Sequence, residues 1–325
     1  MERILTVTNL RTYFETGRGT VRAVDGVDIS LDRGHTLGIV GESGCGKTVL
    51  ALSIMRLIPE PPGRILSGEV ILQGVNLLAL DPRAMRSIRG KEISMIFQEP
   101  MNSLNPVLKV GDQISESIRL HEGIGPREAA GRAREMLELV RMPSAVECLD
   151  QYPHQMSGGM RQRVMIAMAL ACSPKLMLAD EPTTALDVTI QAQILELLEE
   201  MKRKAGTSIM LITHDLGVIA ESAQHMAVMY AGTIVEYGTV SEVLADPLHP
   251  YTQGLMESTP VHIDGSSKKR DRLSVIPGTV PNLYRLPPGC SFQERCAFVM
   301  HVCREQDPGV TERMHGRTVR CWKYS

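Results

Sequence analysis

The sequence predicts an α/β fold in which a parallel sheet carries helices on its faces. In the second half of the chain, apolar strands alternate with helical segments. The glycine-rich run GESGCGKT joins the apolar strand TLGIV to a helical segment, and a later strand, LMLADE, ends in two carboxylates. Strands that alternate with helices typically form a parallel sheet, because the connecting helices pack on its faces.

The elements fall into successive regions. The first 75 residues or so show short strands separated by turns, as in ILTVTNL and SGEVILQGVNLL. From about residue 100 to 172, apolar residues recur at helical spacing and predict a helical subdomain. Strands and helices then alternate, and the proline-containing stretch from residue 260 predicts a linker. We therefore expect a main domain over 1–259 and a C-terminal extension over 260–325.

Composition limits the possible functions. Hydrophobic residues make up 43% and charged residues 22% of the 325 residues, as in folded globular proteins. The 35 Lys and Arg residues do not exceed the 37 Asp and Glu residues, so a nucleic-acid partner is not favoured. No segment approaches the roughly 18 apolar residues that span a bilayer, and the N-terminus has no secretory pattern. We expect a cytoplasmic chain that meets a membrane only through a partner.

The run GESGCGKT has the composition and the context of a phosphate-binding loop. Its glycines allow successive backbone N–H groups to converge on phosphates at the positive end of a helix dipole. Lys47 would place its charge on the β- and γ-phosphates, and the Thr48 hydroxyl would bind Mg²⁺. The nucleotide-binding candidates in this run are Gly41, Ser43, Gly44, Cys45, Gly46, Lys47 and Thr48.

The carboxylates at the end of LMLADE suit phosphoryl transfer. That reaction needs an acid to hold Mg²⁺ and a group that orients the attacking water. Asp180 fits the first role and Glu181 the second, because consecutive residues of a strand point in different directions. Such a strand end carries little information alone, and it gains meaning beside a phosphate-binding loop.

The run MSGGMRQR, over residues 156–163, resembles the signature motif of ABC ATPases, which is close to LSGGQ. Ser157, Gly158 and Gly159 match the motif, whereas Met156 and Met160 depart from it. This resemblance implies an ABC-type P-loop NTPase core with an antiparallel β subdomain, a helical subdomain and a Cys-rich C-terminal extension.

The resemblance also assigns roles to single residues. Gln98 in IFQEP is similar to the Q-loop glutamine, which touches Mg²⁺ and the water. Asp187 in TTALD is similar to the D-loop aspartate, and His214 in LITHD to the switch histidine. Phe14, or alternatively Tyr13, falls where the family stacks an aromatic ring on adenine. The implied catalytic residues are therefore Glu181, His214 and Gln98.

In the family, the signature serine of one subunit meets the phosphate loop of another, so that ATP joins two cassettes. The segment HPYTQGL and the cysteine-containing residues 290–325, hereafter the cysteine tail, resemble the corresponding parts of the ATPases of oligopeptide and dipeptide permeases. This implies import of peptides, or of nickel or another solute of the same branch. The implied partners are a second ABC ATPase, two transmembrane permease subunits and an external solute-binding protein, at the cytoplasmic face of a bacterial inner membrane. The alternatives are a soluble ABC ATPase of DNA repair or translation, and an iron–sulfur redox enzyme.

Four of the seven cysteines lie in the last 36 residues: Cys290, Cys296, Cys303 and Cys321. Their spacing lacks the close pairs of structural zinc sites, which favours an iron–sulfur cluster. The resemblance implies a four-iron four-sulfur cluster here. A zinc site or unligated thiols remain open, with His301 and His315 as substitute ligands. We expect such a cluster to have a structural role and to take no part in hydrolysis.

Two further expectations concern reactivity and coupling. Cys45 lies two residues from Lys47, and this positive surrounding predicts a reactive thiolate. Met101, Leu104 and Leu108 stand among turn-forming residues and predict an exposed apolar groove for a permease helix. The alternative for these three residues is ordinary packing inside the helical subdomain.

Overall fold

The computed structural model describes residues 2–98, 103–183, 188–258 and 275–325. The strands are β1 (Arg3–Thr16), β2 (Gly19–Asp32), β3 (Thr36–Val40), β4 (Gly63–Leu72), β5 (Val75–Asn76), β6 (Ile93–Ile96), β7 (Leu176–Asp180), β8 (Ser208–Ile212), β9 (His225–Tyr230), β10 (Thr233–Thr239), β11 (Thr311–Glu312) and β12 (Thr318–Val319). The helices are α1 (Lys47–Ile54), α2 (Pro82–Ile88), α3 (Val110–Glu122), α4 (Pro126–Leu139), α5 (Ala145–Leu149), α6 (Gly158–Leu170), α7 (Val188–Ala205), α8 (Leu216–Ser222), α9 (Val240–Ala245), α10 (Pro250–Ser258) and α11 (His301–Glu305).

The chain divides into two compact units. The first comprises residues 1–4, 32–35 and 79–210, and the second comprises residues 5–31, 36–78 and 211–325. The expected domain boundary at residue 260 lies outside the described residues, so the division into 1–259 and 260–325 stays a prediction.

The second unit contains a four-stranded sheet in the order β2-β1-β4-β5. Strand β1 pairs antiparallel with β4, from Leu5 opposite Leu72 to Phe14 opposite Gly63. One face is buried through Leu5, Val7 and Leu10, as expected for a sheet with one face on the core. The antiparallel β subdomain is confirmed.

The strand that precedes the glycine-rich run also lies in the second unit. Strand β3 is buried throughout and runs parallel to β9. Gly38 allows α8 to approach closely, because a Cβ there would lie 2.6 Å from Ile219 Cδ1. Strands β9 and β10 form a hairpin whose turn residues Ala231 and Gly232 both have positive φ, as a type I′ turn requires.

The cysteine tail adds two strands beside β10, in the sheet that contains β3 and β9. Strand β12 pairs antiparallel with β10, and β11 pairs antiparallel with β12. Buried Glu236 of β10 accepts a hydrogen bond at 2.7 Å from Arg317, which is 9% exposed and directly precedes β12. Glu236 also accepts the backbone N–H groups of Leu248 and His249, each at 2.9 Å. The tail is therefore anchored to the fold by strand pairing and a buried ion pair.

The first unit contains the helical region between two parallel strands, β6 and β7. Helices α3, α4 and α6 pack against one another through buried apolar residues, namely Ile114, Ile118, Ala133, Leu137 and Ile166. Buried Arg163 of α6 donates to Val140 O at 2.5 Å and to Gln193 Oε1 at 2.6 Å. The predicted helical subdomain is confirmed.

The longest apolar run of the sequence, residues 164–172, lies mainly in α6 and not in a membrane span. Val164, Ile166 and Ala167 are fully buried there. In the part of the chain that the structure describes, no helix is long and apolar enough to cross a membrane.

Candidate nucleotide-binding site

The two units carry different parts of the predicted site. The first carries Gln98, Ser157, Gly158, Gly159, Asp180 and Glu181, and the second carries Phe14, the phosphate loop, His214 and the tail cysteines. Asp187 lies outside the described residues.

The phosphate loop, residues 41–48, is held by close backbone contacts that only glycine permits. A Cβ on Gly41 would lie 2.2 Å from Met229 O, and one on Gly46 would lie 2.1 Å from Ala23 O. Both residues also have positive φ, of 156° and 108°. The loop is thus wedged against β9 and β2, and α1 begins directly after Gly46.

Lys47 lies inside this loop and is only 6% exposed. Its ammonium donates to Gly41 O at 2.7 Å and to Glu42 O at 3.0 Å. The side chain therefore curls back over the loop and places its charge within the turn, as a phosphate-binding lysine requires.

Cys45 does not match the reactivity predicted from the sequence. Burial raises the pKa of its thiol, and this outweighs the nearby charge of Lys47, which lowers it. The side chain is fully buried, and its Sγ is 3.8 Å from Lys47 Nζ. The prediction of a reactive thiolate is wrong, because a local sequence shows the neighbouring charge but not the burial.

In the first unit, two of the predicted catalytic side chains meet. Gln98 Nε2 donates to Glu181 Oε2 at 3.1 Å, across 83 residues of sequence. Glu181 follows β7 with a positive φ of 47°, which is uncommon for a residue that has a Cβ. The preceding Asp180 ends the strand and is 1% exposed. Two consecutive carboxylates thus stand in different surroundings, one buried and one directed to Gln98.

The signature run begins α6 and is exposed at its start. The Ser157 side chain caps the helix by accepting the Met160 N–H at 3.3 Å, and Ser157 and Gly158 are exposed. Four residues into α6, buried Gln162 donates to Pro182 O at 2.6 Å. This bond ties the signature helix to the residue that directly follows Glu181, and the sequence analysis did not indicate it.

The two candidate aromatic residues have different surroundings. Tyr13 already donates to Asp25 Oδ1 at 2.7 Å, and the Arg22 guanidinium lies 5.8 Å from its ring. Phe14 is half-buried opposite Gly63, where a Cβ would lie 2.8 Å from the Phe14 ring. Gly63 has no side chain and therefore leaves room for the Phe14 ring.

His214 is exposed at the end of β8. The next residue, Asp215, caps α8 by accepting the N–H groups of Gly217 and Val218 at 2.8 and 3.3 Å. The histidine is therefore positioned by a fixed turn between a buried strand and a capped helix.

The predicted apolar groove for a permease helix is wrong for Leu104, which is 4% exposed. Met101 lies outside the described residues. Gln113 fixes the following turn by donating to Asn105 O and Leu108 O, both at 3.0 Å. Leu108 remains 39% exposed, so ordinary packing explains Leu104 but not the whole segment.

The tail cysteines surround one cavity. Its lining includes all four, Cys290, Cys296, Cys303 and Cys321, together with the rings of Phe292, Phe298 and Trp322. Burial raises the pKa of Cys290 to about 12 and also raises the pKa values of Cys296 and Cys321. Among the described residues, no three His, Cys, Asp or Glu side chains converge closely enough to bind a single metal ion.

The tail also contacts the phosphate loop. Arg295, one residue before Cys296, forms two hydrogen bonds with the Glu42 carboxylate, at 2.6 and 3.0 Å. The Glu42 backbone N–H donates to the Tyr251 hydroxyl at 2.8 Å. Sequence analysis missed these residues, although an acid inside a phosphate-binding loop could have prompted a search for a counter-charge.

Comparisons with known proteins agree with this fold. A family model described as "ABC transporter" matches residues 24–184, and one described as "Oligopeptide/dipeptide transporter, C-terminal region" matches residues 235–303. The oligopeptide transport ATP-binding protein AppD of Bacillus subtilis is 50% identical, over 100% of this chain and 98% of its own length. The probable peptide ABC transporter ATP-binding protein y4tR of Sinorhizobium fredii is 53% identical, over 98% of this chain and 95% of its own.

Among solved structures, the fold resembles that of the ATP-binding cassette MJ0796, determined as a dimer in a post-hydrolysis state with ADP and Pi. The TM-score is 0.66 at 26% identity, over 73% of this chain and 98% of that one. The chain therefore belongs to the ABC transporter family, in the branch that carries the oligopeptide/dipeptide transporter C-terminal region.

Proposed function

We propose that this chain binds and hydrolyses ATP as one of two cassettes that power an importer of dipeptides or oligopeptides. The observation that carries the proposal is the phosphate loop, wedged by Gly41 and Gly46 and filled by the Lys47 ammonium. The peptide substrate is inferred from the relatives, whose names state oligopeptide and peptide transport. Nickel import within the same branch is the alternative.

Phosphate binding falls to the loop and the start of α1. Lys47 stabilises the β- and γ-phosphate charge, and successive N–H groups of the loop point to phosphate oxygens. Thr48 and Asp180 would hold Mg²⁺, since hydroxyl and carboxylate oxygens are the ligands this hard cation prefers. When bound, Mg²⁺ supplies further neutralisation of phosphate charge. Phe14 stacks on the base.

For hydrolysis, we assign Glu181 to orient the attacking water and accept its proton. Its bond from Gln98 supports this assignment, because the amide fixes the orientation of the carboxylate. His214 contacts the γ-phosphate in this proposal, and Asp187 lies at the contact with a second cassette.

The second cassette is part of the proposal because Ser157 and Gly158 of the signature run are exposed. Ser157, Gly158 and Gly159 lie at the start of a helix whose N–H groups can donate hydrogen bonds to phosphate oxygens. We place them against the nucleotide of a partner chain, identical or closely similar. Two permease subunits and an external solute-binding protein complete the importer, at the cytoplasmic face of the membrane.

We further propose that the tail cysteines hold a four-iron four-sulfur cluster. Four thiols around one cavity supply the number of ligands that such a cluster takes. Each cysteine would bind a different iron atom, so the thiols need not converge as closely as around one zinc ion. Zinc and unligated thiols are the alternatives. Anaerobically purified protein should be brown and contain iron and acid-labile sulfide, whereas colourless protein with stoichiometric zinc would refute the cluster.

The function is tested with the complete transporter, purified with its companion chains and reconstituted in lipid vesicles. Glu181→Gln should retain ATP binding and lose most ATP hydrolysis and peptide uptake, because the amide accepts no proton. The matched control is Glu116→Gln, which removes an exposed carboxylate of α3. Wild-type hydrolysis in Glu181→Gln would refute the catalytic assignment, and vesicles that accumulate no peptide would refute the transport assignment.

A further inference from the structure

The phosphate loop contains an acidic residue, Glu42, whose negative charge is unfavourable for phosphate binding. Glu42 lies between Gly41 and Ser43, in a loop whose proposed ligand is a polyanion. Its carboxylate is fixed within the fold, with a side chain that is 29% exposed. An uncompensated carboxylate so close to bound phosphate would repel it, because charges at short range in a partly buried site are weakly screened.

Arg295, in the cysteine tail, supplies the positive charge that compensates the Glu42 carboxylate. Its side chain is 4% exposed and reaches Glu42 across 253 residues of sequence. Both terminal guanidinium nitrogens bond the carboxylate, the two-point geometry that lysine cannot reproduce. The Nε atom donates to Pro277 O at 2.9 Å, so the guanidinium is fixed on both sides.

The surroundings of Arg295 belong to the wall of the cysteine cavity. Its guanidinium lies 5.8 Å from the Tyr230 ring and 5.9 Å from the Phe292 ring. Phe292 lines the cavity and packs edge-on against Tyr230 at 5.2 Å. The next residue in the sequence is Cys296, which also lines the cavity. The position of Arg295 therefore depends on how the tail is folded around that cavity.

We infer that Arg295 is a positioning residue of the phosphate loop, which holds the Glu42 carboxylate in place and neutralises it where nucleotide phosphate binds. The inference rests on the proposed ATP binding. By this inference the tail influences nucleotide affinity through Glu42, and Arg295 itself does not contact the nucleotide.

The test measures binding of a fluorescent ATP analogue to the purified full-length chain. Arg295→Met keeps an unbranched apolar side chain and removes the guanidinium with its charge. We expect the Kd to rise about tenfold, within the range of coupling between contacting residues. In the assembled transporter, KM for ATP should rise by a similar factor while kcat at saturating ATP stays within about twofold.

The matched control is Arg317→Met. Arg317 is another buried arginine of the tail, paired with buried Glu236 at 2.7 Å and with exposed Asp246 at 3.9 Å. This variant should lower thermal stability and leave the Kd for nucleotide unchanged. An equal rise in Kd for both variants would mean that any damage to the tail weakens binding, and would overturn the inference.

A double variant separates charge from packing. Glu42→Gln combined with Arg295→Met replaces the ion pair by neutral groups, so the Kd should return to within about threefold of wild type. If Arg295→Met does not fold, Arg295→Lys gives the second measurement, with a smaller rise of about threefold. Additive losses in the double variant, or wild-type Kd in both Arg295 variants, would overturn the inference. A wild-type chain that binds no nucleotide would instead refute the proposed function.

Discussion

Two glycines of the phosphate loop differ in the space that a new Cβ would find. Gly44 and Gly46 both have positive φ, of 79° and 108°. An alanine Cβ at Gly44 would meet no atom within 4 Å, whereas one at Gly46 would lie 2.1 Å from Ala23 O. Gly44→Ala should therefore cost only backbone strain, about 1–2 kcal/mol of unfolding free energy. Gly46→Ala should cost about 1–3 kcal/mol more, because a backbone oxygen cannot rotate away and the loop or β2 must shift.

The two variants should be compared by urea unfolding and by titration with a fluorescent ATP analogue. A displaced loop misdirects several N–H groups together, so Gly46→Ala should bind the analogue about tenfold or more weakly than Gly44→Ala. Equal unfolding free energies for the two variants, or wild-type affinity in Gly46→Ala, would refute the steric account of the loop.

Three further predictions concern buried groups of the second unit. Cys45 should resist iodoacetamide in the folded chain and react after urea unfolding, because burial raises its pKa and covers it; peptide mapping that finds rapid labelling of folded protein would contradict this. Glu236→Gln should lower the free energy of unfolding by about 3–5 kcal/mol, since it leaves the buried Arg317 charge without its carboxylate. Asp246→Asn, which alters the 80% exposed neighbour of the same arginine, should change stability little, and equal losses would refute the role of burial. Burial lowers the pKa of His249 to about 3, whereas unfolded histidine titrates near 6.5, so stability should fall by about 1.4 kcal/mol per pH unit as pH drops from 6.5 toward 3. His249→Asn removes the titration and keeps an acceptor, so parallel pH profiles of unfolding for the two proteins would show the prediction to be wrong.

Local pattern was sufficient for the features whose cause is local. The run GESGCGKT, the buried strand that ends in Asp180 and the helical spacing over residues 100–172 all depend on neighbours in the sequence, and the structure contains the corresponding elements. The parallel pairs of β3 with β9 and of β6 with β7 follow from the same alternation. The predicted roles of Gln98, Asp187, His214 and Phe14 came from the resemblance, whereas those of Lys47, Thr48, Asp180 and Glu181 came from the local pattern. All of these roles stay predictions.

Features that depend on residues far apart in the chain could not be predicted from local sequence patterns. The charge of Lys47 next to Cys45 is visible in the sequence, but the burial that dominates the thiol pKa comes from elements far along the chain. Leu104 stands among turn-forming residues, and this local pattern does not reveal that it is only 4% exposed. Strands β11 and β12 have two residues each, too few for a periodic pattern. The pair of Arg295 with Glu42 spans 253 residues, so no local window contains it.

The hydrogen bond from Gln162 to Pro182 O has a consequence for coupling between the two nucleotides of the proposed dimer. Under the proposed dimer, Ser157 serves the nucleotide of the partner cassette, while Glu181 serves the nucleotide of its own chain. Gln162 lies five residues after Ser157 and is hydrogen-bonded to the residue that follows Glu181. In the proposed dimer, a short path inside one polypeptide would therefore connect two separate nucleotides. Release of phosphate at one nucleotide would then disturb the water-orienting carboxylate at the other. Under the proposed dimer, the two nucleotides would therefore be coupled through a single side-chain hydrogen bond of each chain.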